Sequence, residues 1–341
     1  MAEIQDDRIR PQGVRTQPEG SGDGWAADAG RGHGRGRDAD EPDEIPAPGW
    51  KDIALRVKDE MKTDHVSLSA SGVAFHLFLA LAPGLAAAVS IYGLVADPSN
   101  VTSIADRLGS SVPQALSDLI EQQLGSVVSA DGGALGIGAV VGILLAVWSA
   151  SSGMGNMIEA INIAYDEDPD DRPFWKKRGV ALAFTLLFIV FVAVVGTILG
   201  LAASTSGALA VVTGIGAALV SGVLFVLVLS VFYRYGPDRD GAEWSWVSVG
   251  AVIAVVLWLV ASAAFSFYVA NFGSYNETYG ALGAIVVVLL WLFISALVVM
   301  LGAEINAEME RQTSADTTKG PEQPIGQRDA NAADTVAAGT T

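Results

Sequence analysis

GGALGIGAVVGILLAVWSASSGMGNMIEAINIAY, residues 132–165, carries no charged side chain before Glu159. Its first half is apolar and opens a membrane span. Its second half places Ser149, Ser152, Asn156 and Glu159 at steps of three, four and three, along one side of a helix. A hydroxyl, an amide or a carboxyl finds no water in hydrocarbon, so this stripe is expected to face other helices or a wet cavity. The segment reads as a membrane helix with one polar side, and that side is the first candidate for function.

Working outward, the chain has 341 residues, 51% of them hydrophobic, yet a formal net charge of −17. The two facts fit because the charge sits mostly at the ends and the middle is apolar, the composition of a polytopic membrane protein with solvated tails. With no cysteine, disulfides, thiolate metal sites and cysteine nucleophiles are excluded. Three scattered histidines, His33, His65 and His76, do not make a hydrolytic metal site. The acidic balance argues against nucleic-acid binding, which needs basic patches to displace counterions.

Residues 1–48 are rich in Gly, Asp, Glu, Arg and Pro and read as a disordered tail, with no apolar run near the start to serve as a signal peptide. Residues 50–66 form an amphipathic helix suited to the headgroup layer, with Trp50, Ile53, Val57 and Met61 on one side. The first span covers about 67–95, and Pro83 near its middle is expected to kink or break it. His76 stands before that kink. Residues 96–132 repeat apolar positions every four residues and predict amphipathic helices between spans one and two. The second span is the striped one. The third and fourth, about 180–203 and 208–233, carry Gly196, Gly200, Gly214 and Gly222, whose spacing predicts faces of close helix packing. The fifth and sixth cover about 247–270 and 279–307, with Tyr233, Tyr235, Trp244 and Trp246 as interfacial aromatics. The membrane domain is thus expected over 49–311, followed by a second disordered tail over 312–341.

The class is therefore all-α, with six transmembrane helices. Lysines and arginines number four in 50–66, four in 172–178 and two in 234–245, against one, none and none in the alternating connections. That asymmetry predicts both termini in the cytoplasm. An echo links the second and sixth spans: Gly133-Ala134-Leu135-Gly136 opens one and Gly280-Ala281-Leu282-Gly283 the other, and Glu159 with Asn162 ends one while Glu304 with Asn306 ends the other. The echo suggests two equivalent hairpins.

ASGVAFHLFLALAPGL, WSASSGMGNMIEAINIAYDEDPDDRPFWKKR, YRYGPDR and FGSYNETYGALGAIVVVLLWLFISALVVMLGAEINAEME resemble, in order and spacing, the YihY/BrkB family of bacterial inner-membrane proteins. The resemblance covers about residues 50–311. It implies a six-span inner-membrane protein of a family linked to serum resistance and envelope phenotypes, with no settled activity. The family's recurrent polar positions fall here on Pro83, Trp148, Asn162, Tyr165, Arg172, Tyr233, Pro237, Tyr275, Asn276, Tyr279, Gly280, Glu304 and Asn306. Where the family often has tyrosine in the first span, this chain has His76. The family's older label, ribonuclease BN, finds no clustered metal ligands and no basic channel in this sequence.

Two functions are in view. A transporter or lipid-handling protein would use a polar site drawn from His76, Ser149, Ser152, Asn156, Glu159, Asn162, Asn276, Glu304 and Asn306, with membrane lipids as partners. A structural or scaffold protein would instead associate as a homo-oligomer through its glycine faces. An enzyme ranks third, since no phosphate loop, nucleophile elbow or dinucleotide fingerprint occurs, and no cofactor is expected. The acidic run at 166–171 is expected to be solvated.

Overall fold

The computed structural model describes residues 34–95, 132–167, 170–271 and 281–337, and the side chains of all of these except 82–95, 132–139, 146, 208, 270–271, 281–282 and 284. Seven long helices follow one another: α1 (Ala47–Thr63), α2 (Val66–Val95), α3 (Gly132–Ala164), α4 (Phe174–Ala203), α5 (Ala208–Tyr235), α6 (Trp244–Asn271) and α7 (Ala281–Glu310). A single turn, α8 (Asn331–Asp334), comes near the end. The expected connecting helices over 96–131 lie outside the described residues, as do Asn276 and Gly280. Five helices are long and apolar enough to cross a membrane, and a sixth span is formed if α1 and the start of α2, bent by 64° to each other, are taken together. The bend comes at Asp64 and His65, where His65 takes φ 50°. Pro83 does not break its helix, which is continuous from Val66 to Val95, so the expected kink site is corrected to the turn before the span.

The helices pack in cyclic order. Each of α2 to α7 lies against the one before and the one after, α7 closes the ring on α2, and α7 also reaches α3. At 1.5 Å per residue, the 33 residues of α3 extend about 50 Å, beyond the ~30 Å of hydrocarbon. Packing is uneven. The buried core gathers Ile53, Val66, Val73, Ile161, Tyr165, Tyr233, Trp246, Val247, Met300 and Met309, all at the end of the ring that carries both termini. Along the apolar stretches of the five spans only 11–28% of the residues are buried. On α5, Gly214, Ile215 and Gly216 are all exposed, and three consecutive positions sweep about 200° of a helix.

Three expectations are corrected here. A Cβ added at Gly196, Gly200, Gly214 or Gly222 would meet nothing within 4 Å, so these glycines are not packing faces within the chain. The close approach belongs to Gly250 and Gly302: a Cβ on Gly250 would stand 2.2 Å from the Gly302 carbonyl oxygen, and one on Gly302 2.4 Å from the Tyr233 hydroxyl. Of the interfacial aromatics, Tyr235 and Trp244 are exposed and hold Arg234 over their rings, whereas Tyr233 and Trp246 are buried. Finally, 34–48 and 312–337 are not loose tails. Ser314 N–H donates to the Arg37 carbonyl at 2.9 Å, Glu243 N–H to Thr317 at 2.8 Å and Asp240 N–H to Asp329 at 2.9 Å. Buried Arg328 donates to the carbonyls of Ala315, Ser314 and Ala333 at 2.7–2.9 Å. Polar composition hid this order because the segment is held by backbone and arginine hydrogen bonds rather than by apolar side chains.

Candidate functional site

The polar side chains gather at the terminal end of the ring. Near the end of α3, Asn162 is buried and its Oδ1 accepts the Asp238 N–H at 2.8 Å, while its amide nitrogen has no partner. From α7, Asn306 reaches into the start of α6: its Oδ1 accepts the Gly250 N–H at 2.8 Å, and its amide donates to the Val247 carbonyl at 3.2 Å. Gly250 and Gly302 make that approach possible, and Tyr233 of α5 completes the seam by donating to the Val299 carbonyl at 2.7 Å. Glu304 lies one turn before Glu308, fully buried, and no donor reaches either of its oxygens.

Around these lie three ion-paired knots. Arg239, 2% exposed, makes a two-pronged contact with Glu310, 0% exposed, at 2.6 and 3.3 Å. Glu167 stands 3.7 Å away and the Tyr165 ring 4.6 Å below the same guanidinium. Arg311 joins Glu308 at 2.5 Å to Asp166 at 2.6 Å, and Glu308 also binds Arg56 of α1. Arg172 grips Asp170 at 2.5 and 2.9 Å, with Asp238 at 3.4 Å. Burial pushes the Asp170 carboxyl up, but its hydrogen bonds from Arg172 outweigh this and hold it below its ordinary value. At Glu167 burial dominates, and despite Arg239 its carboxyl is pushed up to about 7. Burial, with Glu310 nearby, raises the Tyr165 phenol.

The stripe on α3 fares differently. Ser152 Oγ bonds its own helix at the Trp148 carbonyl, 3.1 Å, and accepts from Arg178 of α4 at 3.2 Å, with that guanidinium 3.7 Å over the Trp148 ring. Ser149 is half-buried, but Asn156 and Glu159 are exposed. Below Ser152 the buried side of α3 is the opposite one, through Ser151, Ile158, Asn162 and Tyr165. The expected inward stripe is therefore corrected for Asn156 and Glu159. Both lie on the side of α3 away from Ser151, Ile158 and Asn162, which no other helix covers closely enough to bury them. His76 is half-buried and its Nδ1 lies 2.9 Å from the Gly72 carbonyl of its own helix, apart from the other candidates.

Of the polar candidates, Asn162, Glu304 and Asn306 lie in this buried layer, and the ion pairs around them were not among the expectations. The acidic run expected to be solvated supplies Asp166, Glu167 and Asp170 to buried arginines. The signal was present as Arg172, Arg239 and Arg311, one arginine from each connection or helix end at this side. Among the described residues no group of three His, Cys, Asp or Glu is placed to hold a metal ion. A separate shallow, open groove of about 460 Å³ lies between α6 and α7, lined by Phe265, Ser266, Val269, Val287, Val288 and Trp291, and does not reach the stripe.

A ring of apolar helices closed at one end by a buried polar layer defines an all-helical, multi-pass membrane protein. Within that class, the chain belongs to the virulence factor BrkB family, whose model matches residues 57–326. It is 30% identical over 181 residues to the putative ribonuclease-like protein YfkH of Bacillus subtilis, an alignment covering 50% of this chain and 65% of that relative. No solved structure matches.

Proposed function

We propose that this protein of a bacterial inner membrane moves or handles a lipid-like amphipathic molecule, with both termini in the cytoplasm and without enzymatic chemistry. The observation that carries this reading is the uneven packing. The ring is bound together by a dense polar layer at one end, while its apolar surfaces elsewhere are left to lipid, with a shallow, mostly apolar groove between α6 and α7 along which an acyl chain could lie. The lysine and arginine asymmetry favours the cytoplasm for the packed end. The ribonuclease-like name belongs to the relative. For this chain, a net charge of −17 and three scattered histidines favour neither an RNA partner nor a phosphodiesterase metal site.

The experiment is reconstitution of the full chain into liposomes with two readouts, scrambling of a fluorescent phospholipid and ion flux. Lipid movement above that of protein-free vesicles supports the reading; no movement of either kind overturns it. A second reading, a scaffold built from copies of this chain, is favoured by the unpartnered glycines of α4 and α5. It predicts a defined oligomer in nanodiscs and inactive liposomes.

A further inference from the structure

We propose that Glu304 and Asp64 form a proton-binding site that fastens the turn between α1 and α2 to α7. The claim goes beyond the transport reading and stands without it. Glu304 is fully buried and no donor of the protein reaches either oxygen, an arrangement that an ionised carboxylate does not tolerate and a carboxylic acid does. The group facing it is another carboxyl, that of Asp64, placed so that the pair can hold one proton between them. Glu308 and Arg311 at the end of α7 lie within electrostatic reach of both carboxyls, and Glu60 of α1 and Asp166 of the connection after α3 within reach of Asp64. Its cations are already committed: Arg311 to Glu308 and Asp166, Arg56 to Glu308 and Gln312. Neither is left to neutralise Glu304, so a proton is what balances it.

The position gives the proton a consequence. Asp64 sits at the 64° bend, and α1 is held on α7 through Arg56. Removing the proton would set two like charges against each other at that bend and push α1 away from α7. Proton binding therefore acts as a clasp between the two helices.

Infrared spectra of the full chain in nanodiscs, taken across a pH series, test the proposal. At mildly alkaline pH, above the range in which Glu167 ionises, the wild type is expected to show the carbonyl band of a buried carboxylic acid, which Glu304→Gln abolishes and Glu322→Gln, on the exposed tail, leaves in place. In Asp64→Asn the band should persist but vanish at lower pH than in the wild type, because the neighbouring charge no longer retains the proton. That variant decides the matter should Glu304→Gln fail to fold. Thermal unfolding should show the wild type losing stability at alkaline pH and Glu304→Gln losing less. A band that survives Glu304→Gln at a pH where Glu167 has ionised, no such band in any variant, or a band removed by sodium at fixed pH would each overturn the assignment.

Discussion

Glu167 and the glycines of α6 and α7 put the account at risk residue by residue. The Glu167 carboxyl is pushed up to about 7 from an ordinary value of 4.5, so the folded state binds its proton more tightly than the unfolded chain does. Its contribution to stability is present in full below about 4.5 and is lost as pH rises through about 7. Melting temperature measured from pH 5 to pH 8 should therefore fall less steeply in Glu167→Gln than in the wild type; equal slopes would remove the effect. Gly250→Ala drives a methyl into the Gly302 backbone and the Asn306 amide, which cannot retreat, and should cost about 1–3 kcal/mol or more. Gly196→Ala meets only open space and should change stability by no more than about 1 kcal/mol, in the stabilising direction. Thermal unfolding in detergent separates the two, and a reversed order would contradict the packing. Nothing in the bare sequence distinguishes these glycines. Spacing shows where two backbones can approach, and only the partner helix decides where they do.

At the scale of elements, the helices were legible and their orientation only partly so. Continuous apolar runs place α2 to α7, since a helix needs about 20 apolar residues to span and satisfies its backbone within that run, whereas a barrel strand is shorter and alternates. The stripe on α3 misled because the spacing of polar residues shows only that they share a side of the helix, and the neighbouring helices decide which side is covered. Asn162, Glu304 and Asn306 stand out in the sequence as polar groups at the ends of long apolar helices. Their ion-paired neighbours were missed because the pairs join connections far apart in sequence. The Arg239–Glu310 pair is the sharpest case, joining the α5–α6 connection to the last residue of α7. Arg239→Gln leaves a buried carboxylate short of its partner and should destabilise by about 3–5 kcal/mol. Replacing both, as Arg239→Met with Glu310→Leu, should cost less than the single change. A double variant at least as unstable as the single one would show that the pair is not an isolated unit.

For the whole molecule, the segment 312–337 laces the N-terminal strap, the α5–α6 connection and the end of α7 into one layer. Trypsin acting on the native protein should leave the bond after Arg328 intact, because that side chain is 3% exposed and held by four carbonyls. Prompt cleavage there would restore the loose tail that composition suggested. The central claim is that this end is packed shut, with α3 turning Ser151 inward and Asn156 and Glu159 outward. The chain has no cysteine, so single introduced ones can be labelled with a membrane-impermeant maleimide in inverted vesicles. The account predicts prompt labelling of Asn156→Cys and Glu159→Cys, and labelling of Ser151→Cys and Ala303→Cys only after denaturation. Ser151→Cys and Ala303→Cys labelling as fast as the other two in the folded protein would contradict it.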